Sequence, residues 1–256
     1  MVDANRAQCS TDADCSARGA AFAGSVCKAG LCEGDSRWEC DSVLSGSAPA
    51  YQLTMHLQEV VGFTPLPGIA AQLCNKLDVG CQSPIAATVA DGSGDVVMQL
   101  EAGFDGYIQL TGSKITPSLY FLTPPEEGDQ DITVRLTNPF VAAQIVNSAG
   151  GSTWLSDRGI VLLNAFDCQG NAAANISYSI DSTPSSDTFI FYLLNTLPTT
   201  SVTATDYTGY GGLVNMPEGV TTISAQLAPS GRTVSKISIL VRAGFVSYSS
   251  VTPNSL

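Results

Sequence analysis

The chain has one histidine, His56, and any Ser–His–Asp or Cys–His mechanism would have to use it. It stands in Tyr51-Gln52-Leu53-Thr54-Met55-His56-Leu57-Gln58-Glu59-Val60, where Tyr51, Leu53, Met55 and Leu57 share one face. That alternation predicts a half-buried strand. A lone strand histidine is more often a packing or surface residue than a catalyst. No HExxH, GxSxG or phosphate loop is present, and one histidine is too few for an iron dioxygenase site. Paired carboxylates can hydrolyse glycosides. Glu126-Glu127 and Asp129 with Asp131 follow Pro124-Pro125, in what reads as a solvated acidic loop. Asp12, Asp14, Asp129 and Asp131 are candidates for calcium; the plainer role of such residues is to hydrogen-bond a local turn. No other cofactor is expected. Tyr207 and Tyr210, with Tyr248 and Trp154, are candidates to stack on a sugar, set against ordinary packing. Asn175-Ile176-Ser177 fits a glycan-acceptor pattern but falls in a predicted strand.

Eight cysteines remain, four of them within the first 32 residues. A cluster of that kind points to disulfides in an oxidising compartment. Cys9, Cys15, Cys27 and Cys32 lie among Asp, Ser, Gly and Ala, in a piece too short to hold itself by burial. The favoured pairing is Cys9–Cys27 with Cys15–Cys32; the gaps of five and eleven fit zinc poorly. Cys74 and Cys81 flank a short loop and suit a local bridge. Cys40 and Cys168 are left, to be joined across the chain or to stay as two buried thiols.

The elements that must position these residues are strands. Hydrophobic residues make up 44% of the 256 and charged residues 13%, so real cores can form under a surface rich in hydroxyls. The net charge of −12 repels nucleic acid and anionic lipid. No run of 18 apolar residues exists to span a membrane. Met1-Val2-Asp3 is not a signal peptide, so export implies a targeting segment missing from this sequence. Short alternating or apolar segments, spaced by Gly and Pro, run from Tyr51 to Leu136 and again from Gly159 to Val251. About seven such strands per stretch signal a β-sandwich. Between them, Asn138 as N-cap and Pro139 at the first helical position predict one short helix ending near Gly150-Gly151. The expectation is all-β: a disulfide-rich segment over 1–36, a sandwich over 37–137, a linker with a helix over 138–152, and a second sandwich over 153–256.

One unit recurs. Ala86 to Phe104 reads as strand, turn, strand, turn, and Val202 to Val220 repeats it loosely. Asp91 and Asp206 would accept backbone N–H groups in their turns, and Gly94, Gly209 and Gly219 would supply positive φ. The first copy gives Gly68-Ile69-Ala70-Ala71, then Ala90-Asp91-Gly92-Ser93-Gly94, then Glu101-Ala102-Gly103-Phe104. The second gives Ala173-Ala174-Asn175-Ile176, then Thr205-Asp206-Tyr207-Thr208-Gly209, then Asn215-Met216-Pro217-Glu218-Gly219. These lines resemble the carboxypeptidase regulatory-like, or transthyretin-like, β-sandwich, with its T-D-x-x-G turn and x-P-x-G. The first copy lacks both the Pro and the Thr-Asp. Joined to a Cys-rich start, the line-up is similar to secreted or lipid-anchored surface proteins of some Gram-negative bacteria. The resemblance implies a non-catalytic module outside the cell or on its outer surface, a structural spacer, adhesive unit or docking unit. A protein partner or further copies of itself, engaged through sandwich edges, is the expected company. A carbohydrate-binding module and an unrecognised hydrolase are the alternatives.

Overall fold

The computed structural model describes residues 9–18, 25–34, 37–38, 50–101, 103–122, 128–150, 153–181, 185–228 and 230–253. The fold is all-β. The start is a small unit: helix α1 (Asp12–Ser16) followed by the antiparallel pair β1 (Val26–Lys28) and β2 (Leu31–Glu33). Cys9–Cys27 and Cys15–Cys32 hold it, an interlaced pair that engages sulfurs zinc would have needed. The five-residue helix α1 adds to the single expected helix; Asp14 forms it by accepting the N–H groups of Ser10 and Thr11 at 2.7 and 2.8 Å.

Seven strands follow: β3 (Tyr51–Glu59), β4 (Ala70–Asn75), β5 (Ala86–Val89), β6 (Asp95–Leu100), β7 (Gly106–Thr111), β8 (Ser118–Phe121) and β9 (Gln130–Leu136). Helix α2 (Pro139–Gly150) comes next. Eight more strands complete the chain: β10 (Arg158–Ala165), β11 (Ile176–Ile180), β12 (Phe189–Leu194), β13 (Leu197–Thr199), β14 (Tyr210–Pro217), β15 (Gly219–Leu227), β16 (Arg232–Val241) and β17 (Val246–Val251).

The pairing shows a repeat. β3 lies between β6, antiparallel, and β9, parallel; β10 lies in the same way between β14 and β17. The antiparallel run β4-β7-β8 is matched by β11-β15-β16. The recurring strand–turn–strand unit is therefore not a hairpin. β5 pairs with β4 and β6 with β3, so the Asp91–Gly94 turn carries the chain from one layer of the sandwich to the other. In the second copy no strand precedes the Asp206–Gly209 turn; β14 follows it, and β14 and β15 belong to different sheets. The turn chemistry is that of a tight reversal, which sequence cannot tell from a corner between layers.

One sheet crosses the boundary expected between residues 137 and 153. β17 pairs in parallel with β8, from Val246↔Ser118 to Ser249↔Phe121, and joins two half-sandwiches into nine strands in the order β13-β12-β14-β10-β17-β8-β7-β4-β5. Because side chains alternate along each strand, register fixes the faces. Ile108, Leu110 and Tyr120 point toward β6-β3-β9, with Leu53, Met55, Leu57, Val96 and Val134 in one core. Tyr107, Leu119 and Phe121 point the other way and share a core with Val161, Leu163, Ile223, Ile237 and Ile239. The two three-stranded sheets thus cover opposite faces of the long sheet.

Helix α2 begins where Asn138 caps it, its Oδ1 accepting from Val141 N–H at 2.9 Å. It is no free linker. Ala142, Val146 and Ala149 are buried against Phe191, Val214 and Val246. β12, the counterpart of β5, has left its own layer to pair with β14, and so gives the helix an apolar bed of Phe189, Phe191 and Leu193. Trp38 is buried in the core of the second repeat, and Arg37 C=O accepts from Cys168 N–H at 2.9 Å. Cys168 is disulfide-bonded; Cys40, its expected partner, lies outside the described residues.

The β12–β13 hairpin turns at Asn195-Thr196, with φ of 52° and 69°. Glycine suits this double positive-φ turn; a β-branched residue is strained in it. Thr196→Gly should raise stability by about 1 kcal/mol, seen as a higher midpoint in thermal unfolding. A lower midpoint would show that the Thr196 hydroxyl, which donates to Asn195 C=O at 2.6 Å, outweighs the strain.

Candidate functional site

The one histidine lies on the outer face of the β6-β3-β9 sheet. Tyr51, Leu53, Met55 and Leu57 turn inward on β3, which leaves Gln52, Thr54, His56 and Gln58 outward. Asp95 is directly opposite His56 on β6, and Asp131 is on β9, two places from Thr133, which faces His56. His56 Nδ1 meets Asp95 Oδ1 at 2.6 Å and Nε2 meets Asp131 Oδ1 at 2.7 Å. Both ring nitrogens face carboxylates, a geometry that the protonated ring satisfies by donating twice. The pKa is raised, first by the hydrogen bond to Asp95 and then by that to Asp131. A ring so engaged has no nitrogen left to take a proton from a hydroxyl or thiol nucleophile. The group is a cross-strand tie among three strands.

Its pH dependence has a definite sign. The folded pKa lies above the unfolded value of about 6.5. The stabilisation is complete below that value and is lost as pH rises through the folded pKa. The only histidine gives a single ring-proton NMR titration. Its midpoint should lie above about 6.5 and drop in Asp131→Asn; a wild-type midpoint at or below that value would remove the tie.

The calcium candidates all have hydrogen-bond duties. Asp12 Oδ1 accepts from Cys27 N–H at 2.7 Å, Asp14 from Ser10 and Thr11, and Asp129 Oδ1 from Gln52 N–H at 2.8 Å. Asp131 holds His56. The first pair and the second are in separate units of the fold. Asp91 Oδ1 accepts from Ser93 and Asp95 N–H at 2.8 and 3.0 Å, and Asp206 Oδ1 from Thr208 N–H at 2.9 Å. Backbone donors also hold the carboxyls of Asp14, Asp78 and Asp91 below the usual range, Ser10, Ser83 and Asp95 N–H being the leading ones. Gly94 and Gly209 have φ of 85° and 72°, and Gly219 has 133°. Tyr207 and Tyr210 are exposed, 71% and 41%. Among the described residues the close ring pairs are Tyr107–Phe121 and Tyr178–Tyr192, so these two tyrosines do not stack on one another. Glu126 and Glu127 lie outside the described residues. Cys74–Cys81 pins the loop between β4 and β5, where Asp78 accepts from Gln82 and Ser83 N–H.

The joint between repeats holds residues that sequence reading did not single out. On one face, Arg242, just after β16, reaches β7: Nη2 donates to Tyr107 Oη at 2.6 Å and Nη1 to Gln109 Oε1. Tyr107 Oη in turn donates to Asp78 C=O, and Gln109 Nε2 to Gln72 Oε1 at 3.0 Å. The guanidinium also lies 5.4 Å from the ring centres of Tyr107 and Phe245. Burial pushes the Tyr107 hydroxyl up, against the pull of Arg242. On the opposite face, Tyr248 Oη of β17 accepts from Thr137 N–H at 3.0 Å, beyond the end of β9. The parallel pair β17–β8 is therefore clamped from both sides.

No family model matches the chain, and no curated protein matches it. Solved structures similar to it include the Bacillus anthracis TIE protein, 14% identical over 81% of this chain and 35% of that one, with a TM-score of 0.28. Others are the shaft pilin SpaA from Lactobacillus rhamnosus GG, at 12%, 82% and 99% with 0.27, and GBS52, the minor pilin of Streptococcus agalactiae, at 11%, 80% and 97% with 0.23. The chain spans about a third of the first of these. Likeness at this level decides neither its fold nor its function.

Proposed function

We propose that this chain is a non-catalytic structural module, of the transthyretin-like kind, that works outside the cell or on its surface and associates with copies of itself through sandwich edges. The observation that carries this reading is the joint: a seven-strand repeat and an eight-strand repeat share one continuous nine-stranded sheet, clamped on both faces. A rigid double unit of that form transmits position and load, and its outer strands offer backbone groups for further pairing. The disulfides fit an oxidising compartment. The engagement of both nitrogens of the one histidine supports a role without catalysis. Among the described residues no helix is long and apolar enough to cross a membrane.

Light scattering and electron microscopy of the oxidised protein over a concentration series test this directly. Mass should grow with concentration, as oligomers or filaments. A monomer at every concentration up to about 1 mM, the range of weak association, would sink the assembly reading.

A further inference from the structure

Each strand at the internal joint has a counterpart elsewhere in the molecule. β17 corresponds to β9, since each runs parallel to the first strand of its repeat. β8 corresponds to β16, since each closes an antiparallel run of three. β17 and β8 are paired with one another, and Val246 N–H donates to Pro117 C=O at 2.9 Å beside them. Their counterparts β9 and β16 are outer strands of their sheets among the described residues. We propose that β9 of one copy of this chain pairs in parallel with β16 of a second copy, making between chains the joint that β17 and β8 make within one.

The backbone is turned for it. Leu136 C=O accepts from Val60 N–H, which directs Leu136 and every second residue before it toward β3. Asp131, Thr133 and Arg135 therefore aim their N–H and C=O groups away from the sheet. Thr222 C=O accepts from Asp181 N–H on the β11 side, which turns Thr221 and Ile223 toward β16. Their partners Ile239 and Ile237 point back at β15, so Ser238 between them aims its backbone groups outward. The two outer strands of the long sheet are blunt: β5 has four residues, and β13 has three with Pro198 among them; the far edges of the three-stranded sheets, β11 and β6, have five and six. β9 has seven and β16 has ten.

The internal joint sets the parallel sense, since β17 and β8 run in one direction. The contact is heterologous, one surface on a different surface, so it extends into an open filament unless its rotation happens to close a ring.

This rests on the proposed assembly and names its surfaces, and a complementation experiment separates the two. Thr133→Pro removes an outward N–H from β9, and Ser238→Pro removes one from β16; neither N–H points at the strand's own neighbour. Each oxidised full-length variant alone should need at least a ~10-fold higher concentration to assemble than wild type, as expected when a joint loses about 1.4 kcal/mol or more. An equimolar mixture should give heterodimers of twice the monomer mass, because one variant supplies β9 and the other β16. If either proline lowers the folding midpoint, Thr133→Lys and Ser238→Lys place a charge at the same edges and should behave alike. Assembly of either variant alone at the wild-type concentration, or a mixture that stays monomeric while wild type assembles, overturns the β9–β16 joint and leaves self-association standing. A monomeric wild type overturns both.

Discussion

Gly209→Ala is expected to destabilise the protein by about 3–4 kcal/mol. The residue sits at φ 72°, where a side chain costs about 1–2 kcal/mol. A methyl group there would also come within 2.5 Å of Ala165 C=O and 3.1 Å of Ala173 N. Those atoms belong to backbone that cannot step aside: Ala173 N–H donates to Ala165 C=O at 2.8 Å, and Ala165 N–H to Gly209 C=O at 2.9 Å. Overpacking against fixed neighbours adds about 1–3 kcal/mol. Gly94, its counterpart in the first repeat, has φ 85° and would meet Leu57 C=O at 2.8 Å and Leu66 N at 2.9 Å, so Gly94→Ala should cost nearly as much. Gly103 is the control. Its φ is 71°, but a methyl group there meets nothing within 4 Å. Gly103→Ala should lose only about 1–2 kcal/mol. Urea unfolding of the three variants decides the matter: equal losses at 209 and 103 would mean the close approach in the corner does not matter.

Arg242→Ala is expected to cost about 3 kcal/mol, the loss falling on the union of the two repeats. The substitution removes charge-assisted donors to Tyr107 and Gln109, each worth about 1.5–3 kcal/mol before water replaces part of it. It also strips packing from the rings of Tyr107 and Phe245. Arg242→Lys keeps the charge but not the fork, and should recover less than half. Tyr107→Phe offers a second approach. It leaves Arg242 Nη2 and Asp78 C=O without their shared partner, at about 2 kcal/mol. Double-mutant analysis should give Arg242→Ala with Tyr107→Phe a loss smaller than the sum of the singles. Strict additivity would mean that the guanidinium and the phenol do not act through one another.

The strands themselves were legible. Alternation placed a strand over Tyr51–Val60 with Leu53, Met55 and Leu57 on one face; β3 runs over Tyr51–Glu59, and those three are fully buried. Asn138-Pro139 marked the start of α2 because a cap and a donor-free first residue are local needs. Partners were not legible. Asp131 drew notice as a possible cation ligand and Asp95 drew none, since only register puts both beside His56. Arg242 and Tyr107 are 135 residues apart, and nothing in either neighbourhood announces the other.

The recurring Thr/Asp-to-Gly segment separates what each level decides. By itself the sequence determined that the chain bends at Asp91–Gly94 and at Asp206–Gly209, because an aspartate accepting nearby N–H groups and a glycine at positive φ suffice for a turn. Only the tertiary structure decided that the strands around Asp91–Gly94 part into different layers, and that β17, paired with β10 of its own repeat, also pairs with β8 of the other. Turn geometry is set by a few neighbouring residues. Strand pairing is set by which apolar faces can be buried together, a choice made among all the strands at once.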